Sequence, residues 1–140
     1  MARKLKLTFE KGGTVYADLL TDKAPKTCEM ICAELPRTYP MIHGRYAGPA
    51  MFFNTDFTEV PEENYSPRKW DGQLTLTLGT KVHPVHACHV FYSYKLPIED
   101  SNNEIYFAQI PPKYFEELET IGNRVWQNCP ENVTIEVVDE

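Results

Sequence analysis

The sequence predicts a mainly β, α+β fold: a closed antiparallel barrel of about eight short strands with one helix early in the chain and one late. Three observations predict it. Segments of alternating apolar and polar residues recur along the chain, separated by Gly and Pro, as in half-buried antiparallel strands. Only two segments show the 3.6-residue period of an amphipathic helix. The chain has 140 residues, 42% hydrophobic and 24% charged. That is about one domain, 1–140, able to build a core without disulfides or metal.

Each element has a local reason. From Lys4 to Phe9, Leu5, Leu7 and Phe9 alternate with Lys4, Lys6 and Thr8. Lys11-Gly12-Gly13 is the turn of a hairpin, because Gly supplies the positive φ a tight turn needs. Thr14 to Leu20 is the return strand. A helix is expected over Pro25–Leu35. Pro25 fits its first turn, Asp22 lies close enough to cap it, and Cys28, Ile31, Cys32 and Leu35 form one apolar face. Pro36 stops it. Short strands follow at Met41–Tyr46 and Ala50–Asn54, broken by Gly48-Pro49. Thr55 to Asp71 reads as a polar surface loop. Gln73 to Leu78 alternates without a fault, Gly79 to Pro84 is a turn, and Val85 to Tyr94 is rich in β-formers. Pro97 to Asn103 reads as a loop before a strand at Glu104–Ile110. Pro111-Pro112 opens the second helix, whose apolar face is Phe115, Leu118, Ile121, Gly122 and Val125. Val133–Val138 closes the chain as a strand.

Charge and composition exclude several functions. The net charge is −6 and the pI about 5.2. No basic face suited to a phosphate backbone is evident, so no nucleic-acid partner is expected. No run approaches the ~20 apolar residues of a membrane span, and the N-terminus lacks a signal peptide's apolar region. The expected location is the cytoplasm, and no membrane partner is expected. Cys28, Cys32, Cys88 and Cys129 are then expected as free thiols. Cys28 and Cys32 read as core residues. No phosphate loop, dinucleotide fingerprint or nucleophile elbow occurs.

Two constellations carry chemistry. His43 and Arg45 share one face of a strand, beside Tyr46. Arg offers a fork to a carboxylate or carbonyl, and His transfers protons near neutral pH. The alternative is a solvated strand face. Three of the four histidines, His83, His86 and His89, crowd around Cys88. Imidazole and thiolate are zinc or copper ligands, but the spacing completes no known site, so an exposed cluster is favoured and no metal or cofactor is assigned. The acidic groups Glu62-Glu63 and Glu116-Glu117-Glu119 read as solvated faces.

Asp22-Lys23-Ala24-Pro25-Lys26-Thr27, opening a helix after the first hairpin, resembles the start of a cyclophilin. Element order resembles that family over nearly the whole chain. His43-Gly44-Arg45, Gly48-Pro49-Ala50-Met51-Phe52-Phe53, His89-Val90-Phe91-Tyr92 and Glu104-Ile105-Tyr106-Phe107-Ala108 fall where it carries its groove strands. Ala24–Thr27, Leu35-Pro36 and His43-Gly44-Arg45-Tyr46 look closer still to small bacterial cyclophilin-like proteins of uncharacterised function. The resemblance implies a groove on the barrel's outer face. Its wall would be His43, Arg45, Phe53 and Phe91, with Glu104 and His89 at the rim. Arg45 matches the family's Arg with one inserted residue, Gly44. The family's Gln position falls on Phe53, its His on Glu104 and its Trp near Glu99. Prolyl isomerisation is therefore not expected, and catalytic residues stay unassigned. The expected partner is a small-molecule or peptide-like ligand. The alternatives are an enzyme acting on an amide or prolyl bond and a homo-oligomeric scaffold built on the aromatic strands.

Overall fold

The computed structural model describes residues 3–44, 49–78, 85–93 and 98–139, with the backbone alone at 98–103. The first hairpin, β1 (Arg3–Phe9) and β2 (Thr14–Leu19), turns through Gly12 and Gly13 at φ +118° and +101°. Then come α1 (Pro25–Ala33), β3 (Arg37–His43), β4 (Ala50–Asn54), β5 (Tyr65–Lys69), β6 (Gln73–Thr77), β7 (Ala87–Phe91) and β8 (Ile98–Gln109). A 3₁₀ turn (Pro112–Tyr114) leads into α2 (Phe115–Asn128), and β9 (Glu131–Asp139) follows.

Among the described residues eight strands close an antiparallel barrel in the order β2-β1-β9-β3-β4-β7-β6-β8, with β8 returning to β2. β5 lies outside the ring, paired with β8. The alternation puts Leu5, Leu7, Met51, Leu74, Leu76, Val90, Ile105 and Phe107 inside. The helices stop the barrel at opposite ends of β3. At one end Tyr39 meets Ile31 and Leu35 of the α1 segment, around an apolar cavity of about 20 Å³. At the other, His43 lies 6.0 Å from Trp126 of α2. Apolar walls keep a hollow of that size dry.

Several expectations change. The segment Thr55–Asp71 is not all loop, because it contains β5. β8 begins at Ile98, inside the expected loop at Pro97–Asn103. β3 starts earlier than expected, at Arg37, because Tyr39 as well as Met41 points inward. Asp22 does not cap α1. The N-cap residue is Ala24, and Glu63 reaches back from the following loop to accept from Thr27 N–H at 2.7 Å. An anion there also meets the positive end of the helix dipole.

Three features lock the last third of the chain. Glu131 is fully buried and takes a bidentate grip from Arg124 at 2.9 and 2.6 Å. Arg124 also donates to the Gly12 carbonyl, tying α2 to the first turn. Gly122 lets α2 approach the ring of Tyr92. All four cysteines are free thiols. No helix among the described residues is long and apolar enough to cross a membrane.

Candidate functional site

The outer face of β4, β7, β6 and β8 carries an unusual set of buried polar groups. Antiparallel register puts Phe52 opposite His89, and His89 opposite Thr75 on its other flank. Directly opposed residues share a face, so these three side chains form a row across the sheet. Phe91 and Gln73 lie one step along the same face, and Glu104 joins from β8. β5 supplies Lys69. Gln73 and Thr75 are polar by pattern yet fully buried, because this part of the sheet is covered on both faces.

Glu104 is the hub. Its Oε1 accepts from the Thr75 hydroxyl and lies 3.0 Å from His89 Nδ1. Its Oε2 lies 3.9 Å from Lys69 Nζ. Lys69 is 1% exposed. It donates to the Ser66 carbonyl at 3.3 Å and lies 5.7 Å from the centre of the Phe91 ring. Burial pushes the Glu104 carboxyl up. The His89 hydrogen bond, the His89 charge once that ring is protonated, the Thr75 hydroxyl and the Lys69 charge outweigh that and hold it below its ordinary value. Glu104 is therefore ionised at neutral pH, and an ionised carboxylate only accepts. The bond to His89 thus places the imidazole proton on Nδ1.

The His89 ring lies between Phe91, stacked at 5.5 Å, and Phe52, tilted at 5.6 Å. Its side chain keeps 19% of its surface. Gln73 donates to Ser66 Oγ and the Arg68 carbonyl, while its buried Oε1 has no hydrogen-bond partner among the described residues. The arrangement is a charged hydrogen-bonded centre flanked by flat rings. It can orient a polar group, hold an apolar ring and move a proton through His89.

The expected site residues divide between the two sides of the barrel wall. His89, Phe91 and Glu104 come together on the outer face. Phe53 points inward and stacks on Tyr39 with ring centres 4.1 Å apart. It cannot share a groove wall with Phe91, because adjacent residues on a strand face opposite sides. His43 also points inward, with its Nε2 bonded to the Tyr92 hydroxyl and its ring under α2. Arg45 and Tyr46 lie outside the described residues, as does His83. The expected wall of His43, Phe53 and Phe91 is therefore not formed. Its aromatic place beside His89 is taken by Phe52, one residue earlier. Thr75 was visible as a polar position in the clean alternation of β6. Gln73 was a polar position of the same alternation, whereas Lys69 gave no local signal, since its meeting with Phe91 and Ser66 depends on β5 lying over the sheet.

His86 and His89 of the histidine run turn to separate partners, and His83 lies outside the described residues. Among the described residues no group of three or more His, Cys, Asp or Glu could hold an ion. His86 Nδ1 pairs with the Thr77 carbonyl, and Cys88 faces the core, where burial pushes its thiol up. Across the ring from β7, the hollow between Lys4, Lys6, Tyr16, Lys113 and Tyr114 is open, about 360 Å³. Asp18 and Asp139 offset its lysines.

Comparison with known proteins gives the same fold. McbB, solved in complex with tryptophan, matches with a TM-score of 0.74 and 18% identity over 94% of this chain. The match spans 44% of the McbB chain. The solution structure of the hypothetical protein AF2241 from Archaeoglobus fulgidus matches with a TM-score of 0.63 and 19% identity, covering 96% of this chain and 94% of that one. At such identities the likeness is one of fold. No curated protein matches the sequence. A family model described as a protein of unknown function, DUF3830, matches residues 7–135, and the chain belongs to that family.

Proposed function

We propose that the protein binds a small molecule with a flat aromatic part and a hydrogen-bonding group, on the outer barrel face, at Glu104, His89, Phe91 and Phe52. One observation carries this reading. Glu104 is buried and ionised, held by His89, Thr75 and Lys69 beside a row of rings. A buried ionic cluster is a poor device for stability alone, since apolar side chains of like size pack at least as well. Perturbed charged groups beside apolar walls are the usual composition of ligand sites. McbB, part of which shares this fold, is solved in complex with tryptophan, a molecule of that chemistry. We also infer a cyclophilin-like barrel, on the Asp22–Thr27 helix opening and the strand order. Prolyl isomerisation is not part of the proposal. The residue at the expected Gln position, Phe53, is in the core, and Glu104 is already engaged.

Ligand-observed NMR tests the reading, with tryptophan, indole, tyramine, phenylacetate and an alanyl-proline dipeptide as probes. At least one flat aromatic probe is expected to bind, and Phe91→Ala to weaken it tenfold or more. Failure of every probe, or binding unchanged in both Phe91→Ala and Glu104→Gln, overturns it.

A further inference from the structure

The groups around His89 go beyond what binding requires. Glu104 holds Nδ1–H at 3.0 Å. The far nitrogen, Nε2, has no hydrogen-bond partner among the described residues, and the ring keeps part of its surface between Phe52 and Phe91. A carboxylate that fixes the Nδ1–H tautomer leaves the Nε2 lone pair as a proton acceptor and steadies the imidazolium that forms. Lys69 and Glu104 offset each other in the resting site. When His89 takes a proton the site gains one positive charge, which suits a substrate that becomes an anion at that moment.

We propose that His89 is a general base, oriented by Glu104, that removes a proton from the carbon beside the carbonyl of a flat aromatic ketone-like substrate. This rests on the binding reading above. The Nε2 lone pair forms the new N–H bond. The C–H electron pair becomes the C=C of an enolate, and the carbonyl π pair moves onto oxygen. Return of a proton from the imidazolium to a carbon of the enolate restores a neutral product, so no co-reactant is consumed. The reaction class is proton exchange or tautomerisation. Thr75 and Lys69 are positioning residues that act through Glu104.

The test uses the intact chain and 2-indanone, a flat neutral aromatic ketone with acidic C–H bonds beside the carbonyl. Binding is read by ligand-observed NMR, and exchange of those protons for deuterium by mass. The wild type is expected to bind 2-indanone and to exchange it above the buffer rate. Imidazole nitrogen NMR is expected to show His89 as the Nδ1–H tautomer. A general base is worth about 100-fold or more. At saturating 2-indanone His89→Gln is accordingly expected to lose about that factor, and Glu104→Gln to lose tenfold or more together with the tautomer signature. Binding without exchange in the wild type overturns the general base and leaves the binding reading standing. Absence of 2-indanone binding while other aromatic probes bind overturns the substrate class, and with it this proposal. Failure of all aromatic probes overturns the binding reading itself. These arms use the wild type, so they stand even if a variant does not fold.

Discussion

Glu104 shows how one side chain links site chemistry to stability. Its carboxyl lies below the ordinary value of 4.5 in the folded chain, and it returns to that value on unfolding. A depressed carboxylate contributes its full stability above the unfolded value and loses it as pH falls through the folded one. Glu104→Gln is therefore expected to be less stable than wild type at neutral pH, with the gap closing as pH drops below the ordinary carboxylate range. Urea unfolding at neutral pH and near pH 3.5 checks this, and a gap that is constant across that range contradicts it. The chemistry of this residue was only partly legible. The resemblance to cyclophilins implied that His89, Phe91 and Glu104 border one groove. It did not distinguish Phe52 from Phe53, because a single-residue shift in strand phase swaps the outer face for the core. The inward direction of His43 was hidden for a related reason. Its partner Tyr92 and the helix above it come from distant parts of the chain.

At the scale of elements, α2 packs through a notch. A Cβ on Gly122 would lie 2.4–2.5 Å from ring atoms of Tyr92, well inside contact distance. Alanine favours a helix over glycine by about 1 kcal/mol. Here the clash is expected to win, with Gly122→Ala costing about 1–3 kcal/mol as in other overpacked cores. The urea midpoint reads the loss, and the emission of Trp126, on the same helix beside His43, reports the displacement of α2. A midpoint at or above wild type contradicts the close approach. Elements with a strong period were legible in advance: the first hairpin, both helices and β6 have their patterns written into adjacent residues. β5 was not, because Tyr65-Ser66-Pro67-Arg68-Lys69 has no apolar alternation. It is a strand because β8 offers it an edge, with a shift in register between Ser66 and Arg68. The α1 cap was illegible for the same reason, since Glu63 is remote from Thr27 in the chain.

At the scale of the molecule, closure was readable as a strand count, but the order around the ring was not. Neighbours in the ring are set by which edges meet, and the meeting of β1 with β9 joins the two ends of the described chain. β9 sits between β1 and β3 and is hydrogen-bonded to both. The position of β9 governs how the chain reaches its native state. During synthesis every other strand emerges before the one that joins β1 to β3. Until it arrives, both carry open edges with apolar inner faces, which invite pairing with other chains. The long-range closures also predict slow folding. A chain ended at Asn128 is therefore expected to lack cooperative unfolding and to collect in aggregates, seen by light scattering. Supplying residues 129–140 as a separate peptide during refolding is expected to reduce the scattering. The ninth strand acts as a timing device, so nascent barrels need protection from one another until β9 has joined β1 to β3.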